Sequence, residues 1–337
     1  MVGRETGGAI AILRMTLPLV LNVLAIFLMM APGFVLRRRG ALSELGTADL
    51  ARLSVAAIYP CLIFTIIVGS FSLPGLVHSW PLPLAVFSLM FLGYAIGRLV
   101  CPWVRFRDAE ESHAFLFQCS FNNYSFLPLP LIAVLFGHKA VGALILSSLG
   151  AELAVWTLGL YILEGNQLRW RNLRHLLSPP LLALVAGVLA VVARDTGALG
   201  LIPGFYGALQ TPRGIVLHAM QMVAAATIPL AMIVAGSSIA TLPFSELRSA
   251  QIWLVSALRL LAIPALALAL LWCLPFPREQ RQVLAVVAVM PTSLASIALT
   301  RVYGGDEYFT AGTVLLTHLL ALATVPLLLA FFLARCC

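Results

Sequence analysis

Two adjacent amides stand inside an apolar run: Asn122 and Asn123 in FQCSFNNYSFLPLPLIAVLFG, with Pro128 and Pro130 just downstream. A second run, VVAVMPTSLASIALTRVYGG, carries Pro291 followed by Thr292, Ser293 and Ser296. Proline inside a helix removes a backbone hydrogen bond and clashes with the preceding turn, and the residue before it is pushed out of the α region. Where water is scarce, such a break persists only if protein or a wet cavity satisfies the freed groups. An amide supplies both donors and acceptors, and hydroxyls can cap a restarted helix. The unpaired N–H groups and positive dipole end of each restarted helix then form an anion site. Each kink alone is an ordinary proline bend with Asn as interhelical glue. Two of them meeting would suit a carboxylate, with Asn122, Asn123, Pro130, Pro291, Thr292 and Ser293 as its candidate contacts.

Glu152, in LGAELAVW, also lies within an apolar run. An acid at the centre of a spanning helix costs about 2.5–3.5 kcal/mol, so it should face the bundle interior. It then serves proton coupling, forms a polar wall of the binding cavity, or bonds between helices. Arg259 is expected to snorkel or pair with a neighbour, and His318 reads as structural rather than as a proton relay. Asn22 and Gln221 read as helix-packing glue, and Gly93 and Gly97 permit close packing. The six cysteines include no CxxC and no His/Cys cluster, so no metal, cofactor or disulfide framework is expected.

The elements that must position these residues follow from composition. Of 337 residues, 61% are apolar and 10% charged, against about 25% charged in soluble domains. Mean hydropathy is +1.01. The net charge of +8 is spread between apolar stretches, as in cytoplasmic loops, which excludes nucleic-acid binding. A spanning helix needs about 20 apolar residues. Ten segments qualify, near 15–36, 48–69, 80–100, 112–136, 140–163, 178–193, 217–240, 251–274, 282–302 and 309–333. Trp80, Trp103, Trp253 and Trp272 mark ends at headgroup level, and 196–214 is a Gly/Pro-rich loop that could lie in the interface. No cleavable signal is evident, because the first segment runs into Arg37, Arg38 and Arg39. Odd-numbered loops hold twelve basic residues and the opposite side eight. The first loop and the fifth, with Arg169, Arg171 and Arg174, are strongly basic, which places both termini outside an inner or plasma membrane.

The chain also repeats itself. Leu135-Phe136-Gly137 faces Val302-Tyr303-Gly304 at an offset of 167, and Pro60 faces Pro229 at an offset of 169. Each half, 1–165 and 166–337, then holds five segments. An odd number forces the halves into opposite orientations, an architecture that recurs in secondary transporters. The fold expected is all-α and polytopic: ten transmembrane helices as two inverted five-helix repeats, with segments four and nine interrupted.

These segments resemble the auxin efflux carrier family, within the bile/arsenite/riboflavin transporter group, over nearly the whole chain. Asn123, Phe126, Leu127, Pro130 and Leu131 match the family's NxGFLGxPL, with Ser125 and Pro128 standing where it favours glycine. Pro229 to Ala240 is similar to PLALxxxGxxLA, and Arg259, Leu260 and Pro264 to RLxxxP. Met290 and Pro291 through Tyr303 and Gly304 are similar to MPTxxNxxxLAxxYG, and Trp156, Thr157 and Leu158 match as well. The resemblance implies that segments four and nine cross at the substrate site. It implies a scaffold of segments 1, 2, 6 and 7, often dimeric, and a transport domain of segments 3–5 and 8–10 that moves as an elevator. It also implies export of a small organic anion, auxin-like or a dicarboxylate. The alternatives are a sodium-coupled symporter of the bile-acid type, for which Glu152 is the sole embedded acid, and a non-transporting receptor. An enzyme would need a clustered acid/base or metal constellation, and the sequence has none.

Overall fold

The computed structural model describes residues 17–165, 177–197, 214–242 and 247–336. Arg4, Arg14, the basic stretch of Arg169, Arg171 and Arg174, most of the 196–214 loop and Cys337 lie outside them. Among the described residues, every regular element is helical. In chain order these are α1 Leu17–Arg38, α2 Glu44–Ser70 and α3 Leu73–Trp103, then α4 Ala109–Ser120. α5 is Pro128–Leu163 and α6 is Pro179–Asp195. α7 Ile215–Ile239 and α8 Ala250–Cys273 follow, then α9 Arg278–Ala288, α10 Ser296–Tyr303 and α11 Glu307–Ala334. Local chemistry starts several of them. Ser43, Ser72 and Asp108 each accept a bond from the backbone N–H three residues on, capping α2, α3 and α4.

Among the described residues, seven helices (α1, α2, α3, α5, α7, α8 and α11) are long and apolar enough to cross a membrane. The difference from ten segments has a physical origin. α4, α9 and α10 are fragments of the two interrupted runs, and α6 has only 17 residues. α5 joins the second half of segment four to segment five across Gly137, whose φ of 77° breaks the helix. Its counterpart Gly304, in the matching triplet, also has positive φ, 99°. One face of α1 carries Leu17, Leu21, Leu24 and Leu28, all exposed. A leucine stripe at helical spacing that is left uncovered among the described residues suits an apolar surrounding.

Close packing depends on glycine at two reciprocal points of the α1–α7 contact. A Cβ on Gly33 would lie 1.9 Å from Ile233 O, and one on Gly236 would lie 1.9 Å from Met30 O. On α3, a Cβ at Gly93 would lie 2.2 Å from Cys119 O, so the small-residue pair Gly93 and Gly97 lets α3 sit on the end of α4. Gly33→Ala and Gly236→Ala are each expected to cost about 1–3 kcal/mol through overpacking, read as a lower melting temperature in detergent. Gly69→Ala, where nothing lies within 4 Å of the added carbon, should leave it unchanged.

Candidate functional site

The two interruptions are equal in length and face each other. α4 ends at Ser120 and α5 starts at Pro128; α9 ends at Ala288 and α10 starts at Ser296. Both joints repeat at an offset of 168, between the offsets of 167 and 169 read from the sequence. The non-helical stretches pair as an antiparallel bridge between Asn122 and Thr292. Asn123 N donates to Pro291 O at 2.8 Å, and Ser293 N donates to Phe121 O at 3.3 Å. Each break therefore satisfies backbone groups that the other leaves open, which is how irregular backbone survives away from water.

Around this bridge the side chains divide the work. Asn123 Oδ1 accepts from Phe126 N at 3.1 Å and Leu127 N at 3.3 Å, closing the turn that leads into α5. Its Nδ2 is buried and bonds no protein group. Asn122 Nδ2 donates to Val287 O in the last turn of α9. Thr292 Oγ1 lies 2.8 Å from Thr317 Oγ1 on α11, and Ser296 Oγ donates back to Ser293 O at 2.5 Å. Thr292 and Ser296, two of the hydroxyls expected to cap the restarted helix, therefore bond elsewhere, and α10 has no side-chain cap. Pro130 sits in the first turn of α5, which begins at Pro128, where the missing N–H costs nothing. Pro291 lies in the extended stretch, several residues before α10 begins.

Arg259 completes the crossing from α8. It is wholly buried, and it donates from Nη1 to Cys119 O at 3.3 Å and from Nη2 to Ala288 O at 3.0 Å. Those carbonyls belong to the final turns of α4 and α9, the negative ends of the two first half-helices. A π-helical stretch, Leu258–Ala262, surrounds it. The charges can be counted. Two helix starts contribute about +0.5 each and two helix ends about −0.5 each, so the guanidinium leaves the crossing net positive by about one charge. A snorkelling or paired arginine is what the sequence predicts at this position. Its mid-span position was the signal, but its partners are carbonyls at two ends 169 residues apart in the chain.

Glu152 joins the site through Tyr124, a residue of the first break. Tyr124 Oη donates to Glu152 Oε1 at 2.8 Å, and Trp156 Nε1 donates to Oε2 at 3.1 Å. From α2, Tyr59 Oη donates to Ser125 Oγ at 3.4 Å. The Trp156 and Tyr303 rings meet edge-on at 6.3 Å. His318 is buried with Nδ1 2.8 Å from Val314 O in its own helix. Asn22 is half-buried on α1 and Gln221 exposed on α7. Among the described residues, no group of three His, Cys, Asp or Glu side chains could hold a metal ion.

Residues 18–329 match the family model described as membrane transport protein. Over 313 residues the chain is 26% identical to an uncharacterized transporter of Methanothermobacter thermautotrophicus, covering 91% of this chain and 96% of the relative. Over 315 residues it is 23% identical to an uncharacterized transporter of Methanocaldococcus jannaschii, covering 90% and 96%.

Proposed function

The chain belongs to the membrane transport protein family, which includes the auxin efflux carriers, and we propose that it exports a small organic anion through the crossing of its two broken helices. The observation that carries this reading is Arg259. A buried guanidinium neutralises both helix ends and leaves the positive starts of α5 and α10 for a carboxylate. Asn123 Nδ2 is the direct donor, and Pro130, Pro291, Thr292 and Ser293 shape the pocket with Asn122 behind them. The same fixed cation argues against the sodium-coupled alternative, since a second positive charge at the crossing would be repelled. A thermal-shift screen of mono- and dicarboxylates on purified protein tests the proposal. Stabilisation by an auxin-like acid or a dicarboxylate, and none by matched amines or by sodium, is the expected result.

The mechanism proposed is alternating access by an elevator. Ten spans form two inverted repeats, 1–165 and 166–337. Segments 1, 2, 6 and 7 are a dimeric scaffold, and segments 3–5 and 8–10 carry the substrate. The matching offsets and the reciprocal glycines of the α1–α7 contact support this arrangement. With both termini outside, cysteines introduced at positions 40 and 170 should react only from the cytoplasmic side. Labelling of either from outside would overturn the inverted topology.

Glu152 is proposed to link a proton to this movement, because it holds the first break through Tyr124. In Glu152→Gln the amide oxygen still accepts from Tyr124, but the group no longer titrates. Uptake into proteoliposomes should lose its dependence on a pH gradient while substrate binding remains measurable. Retained pH dependence would leave Glu152 a purely structural acceptor.

A further inference from the structure

The turn that breaks α5 at Gly137 also forms one wall of a charged cavity. Phe136, His138 and Lys139 line that wall, and Arg278 and Glu279, in the first turn of α9, line the other. The cavity holds about 490 Å³, within the roughly 300–1,000 Å³ of small-molecule sites. Its place relative to the crossing is fixed by two helices that pack together. The first half of α5 runs from Pro128 at the crossing to Phe136 at the cavity, about 12 Å at about 1.5 Å per residue. α9 runs from Arg278 at the cavity to Ala288 at the crossing, about 15 Å on the same rise. Two half-helices that meet at the crossing therefore have their far ends at this one cavity.

The charges lining it are unmatched. Among the described residues, neither Lys139 nor Arg278 makes an ion pair or a side-chain hydrogen bond, although Glu279 lines the same cavity. Elsewhere Arg37, Arg107, Arg194 and Arg301 each pair with a carboxylate. Two cations against one carboxylate leave an excess of one positive charge. The start of α9, which has no side-chain cap, adds partial charge of the same sign. A cleft with such an excess focuses the field and concentrates ions of opposite sign. Lys139 belongs to one wall and Arg278 to the other, so a ligand with an anionic group at each end can meet both.

We propose that this cavity is a vestibule that binds small dicarboxylates on their way from the crossing. The assignment rests on the reading of the crossing as an organic-anion pathway, to which it adds a second and weaker station. His138, Lys139, Arg278 and Glu279 are exposed, so the cations keep their water and contribute little affinity each. The anion is exchanged with solvent there and not retained. With both termini outside, the vestibule opens to the exterior and draws the anion off the crossing.

A thiol at position 138 reports both the potential and the occupant. His138→Cys is reacted with anionic sulfonatoethyl and cationic trimethylammonioethyl methanethiosulfonate. Peptide mass spectrometry separates this thiol from Cys273, which is also exposed. The anionic-to-cationic rate ratio should fall about tenfold when Lys139→Gln and Arg278→Gln are added. That difference should vanish in 1 M salt, where the Debye length is about 3 Å. At constant ionic strength, millimolar succinate should slow modification severalfold and butyrate much less, and the two glutamines should abolish the protection. Protection that persists with Asn123→Ala places succinate in the vestibule, whether or not the crossing itself binds carboxylates. A rate ratio unchanged by the two glutamines would overturn the proposal. So would absent protection, equal protection by butyrate, or protection lost with Asn123→Ala.

Discussion

Asn123→Ala is expected to weaken binding of a small carboxylate by roughly ten- to a hundredfold, the equivalent of a charged hydrogen bond at about 1.5–3 kcal/mol. The geometry supplies two reasons. Asn123 Nδ2 is a buried donor at the crossing without a protein partner, and Oδ1 holds the Phe126 and Leu127 N–H groups of the turn that leads into α5. Alanine removes both, so ligand-free stability should also fall by about 1 kcal/mol, as for a lost side-chain-to-backbone hydrogen bond. Asn123→Asp separates the two effects: a carboxylate still accepts from that turn, but it repels an anion, so binding should drop further while stability holds. Asn122→Ala should cost less affinity, because its donor is committed to Val287 O. Thr292→Ala and Ser293→Ala should fall between, since the backbone bonds of the bridge remain. Isothermal titration with a ligand from the carboxylate screen measures all five, and normal binding by Asn123→Ala would remove the amide from the site.

Arg259→Met should be the most disruptive single change in the chain. Two opposing terms decide its size. Losing the guanidinium relieves a desolvation penalty of several kcal/mol, but it strands two buried carbonyls and uncovers two negative helix ends. Because the arginine's bonds are to buried helix ends, Cys119 and Ala288, we expect a net loss of about 3 kcal/mol, in the range for a broken buried charge contact. Affinity for the anion should fall more than tenfold as the crossing loses its net positive charge. Arg259→Lys keeps the charge on a single point and cannot fork to both carbonyls. It should recover most of the binding and little of the stability. Wild-type affinity in Arg259→Met would mean that the helix starts alone hold the anion.

Much of this architecture was legible because the bilayer makes irregular backbone expensive. Pro128, Pro130 and Pro291 accompany the two breaks, and because Pro264 and Pro326 lie within α8 and α11, it is the amides and hydroxyls beside those three prolines that mark the two runs. Gly137 and Gly304 marked the repeat as letters, and their shared positive φ gives the match a conformational cause. The details that escaped depend on partners far away in the chain. Nothing near Arg259 in sequence identifies Cys119 O and Ala288 O as acceptors. Nothing near Thr292 says that its hydroxyl meets Thr317 instead of capping α10. Glu152 was visible as a costly acid, but its anchoring by Tyr124 and Trp156 follows from where the first break folds back. The start of α10 is of the same kind: it lies at Ser296 because the bridge keeps 291–293 extended.

That bridge separates architecture from recognition. Its hydrogen bonds run from Asn123 N to Pro291 O and from Ser293 N to Phe121 O; none of them involves a side chain. A change of side chain at 121–123 or 291–293, other than to proline at 123 or 293, therefore leaves these two backbone bonds in place. A lineage built on this backbone is free to retune its cargo by point mutation, one side chain at a time, while the frame presenting those side chains is inherited intact.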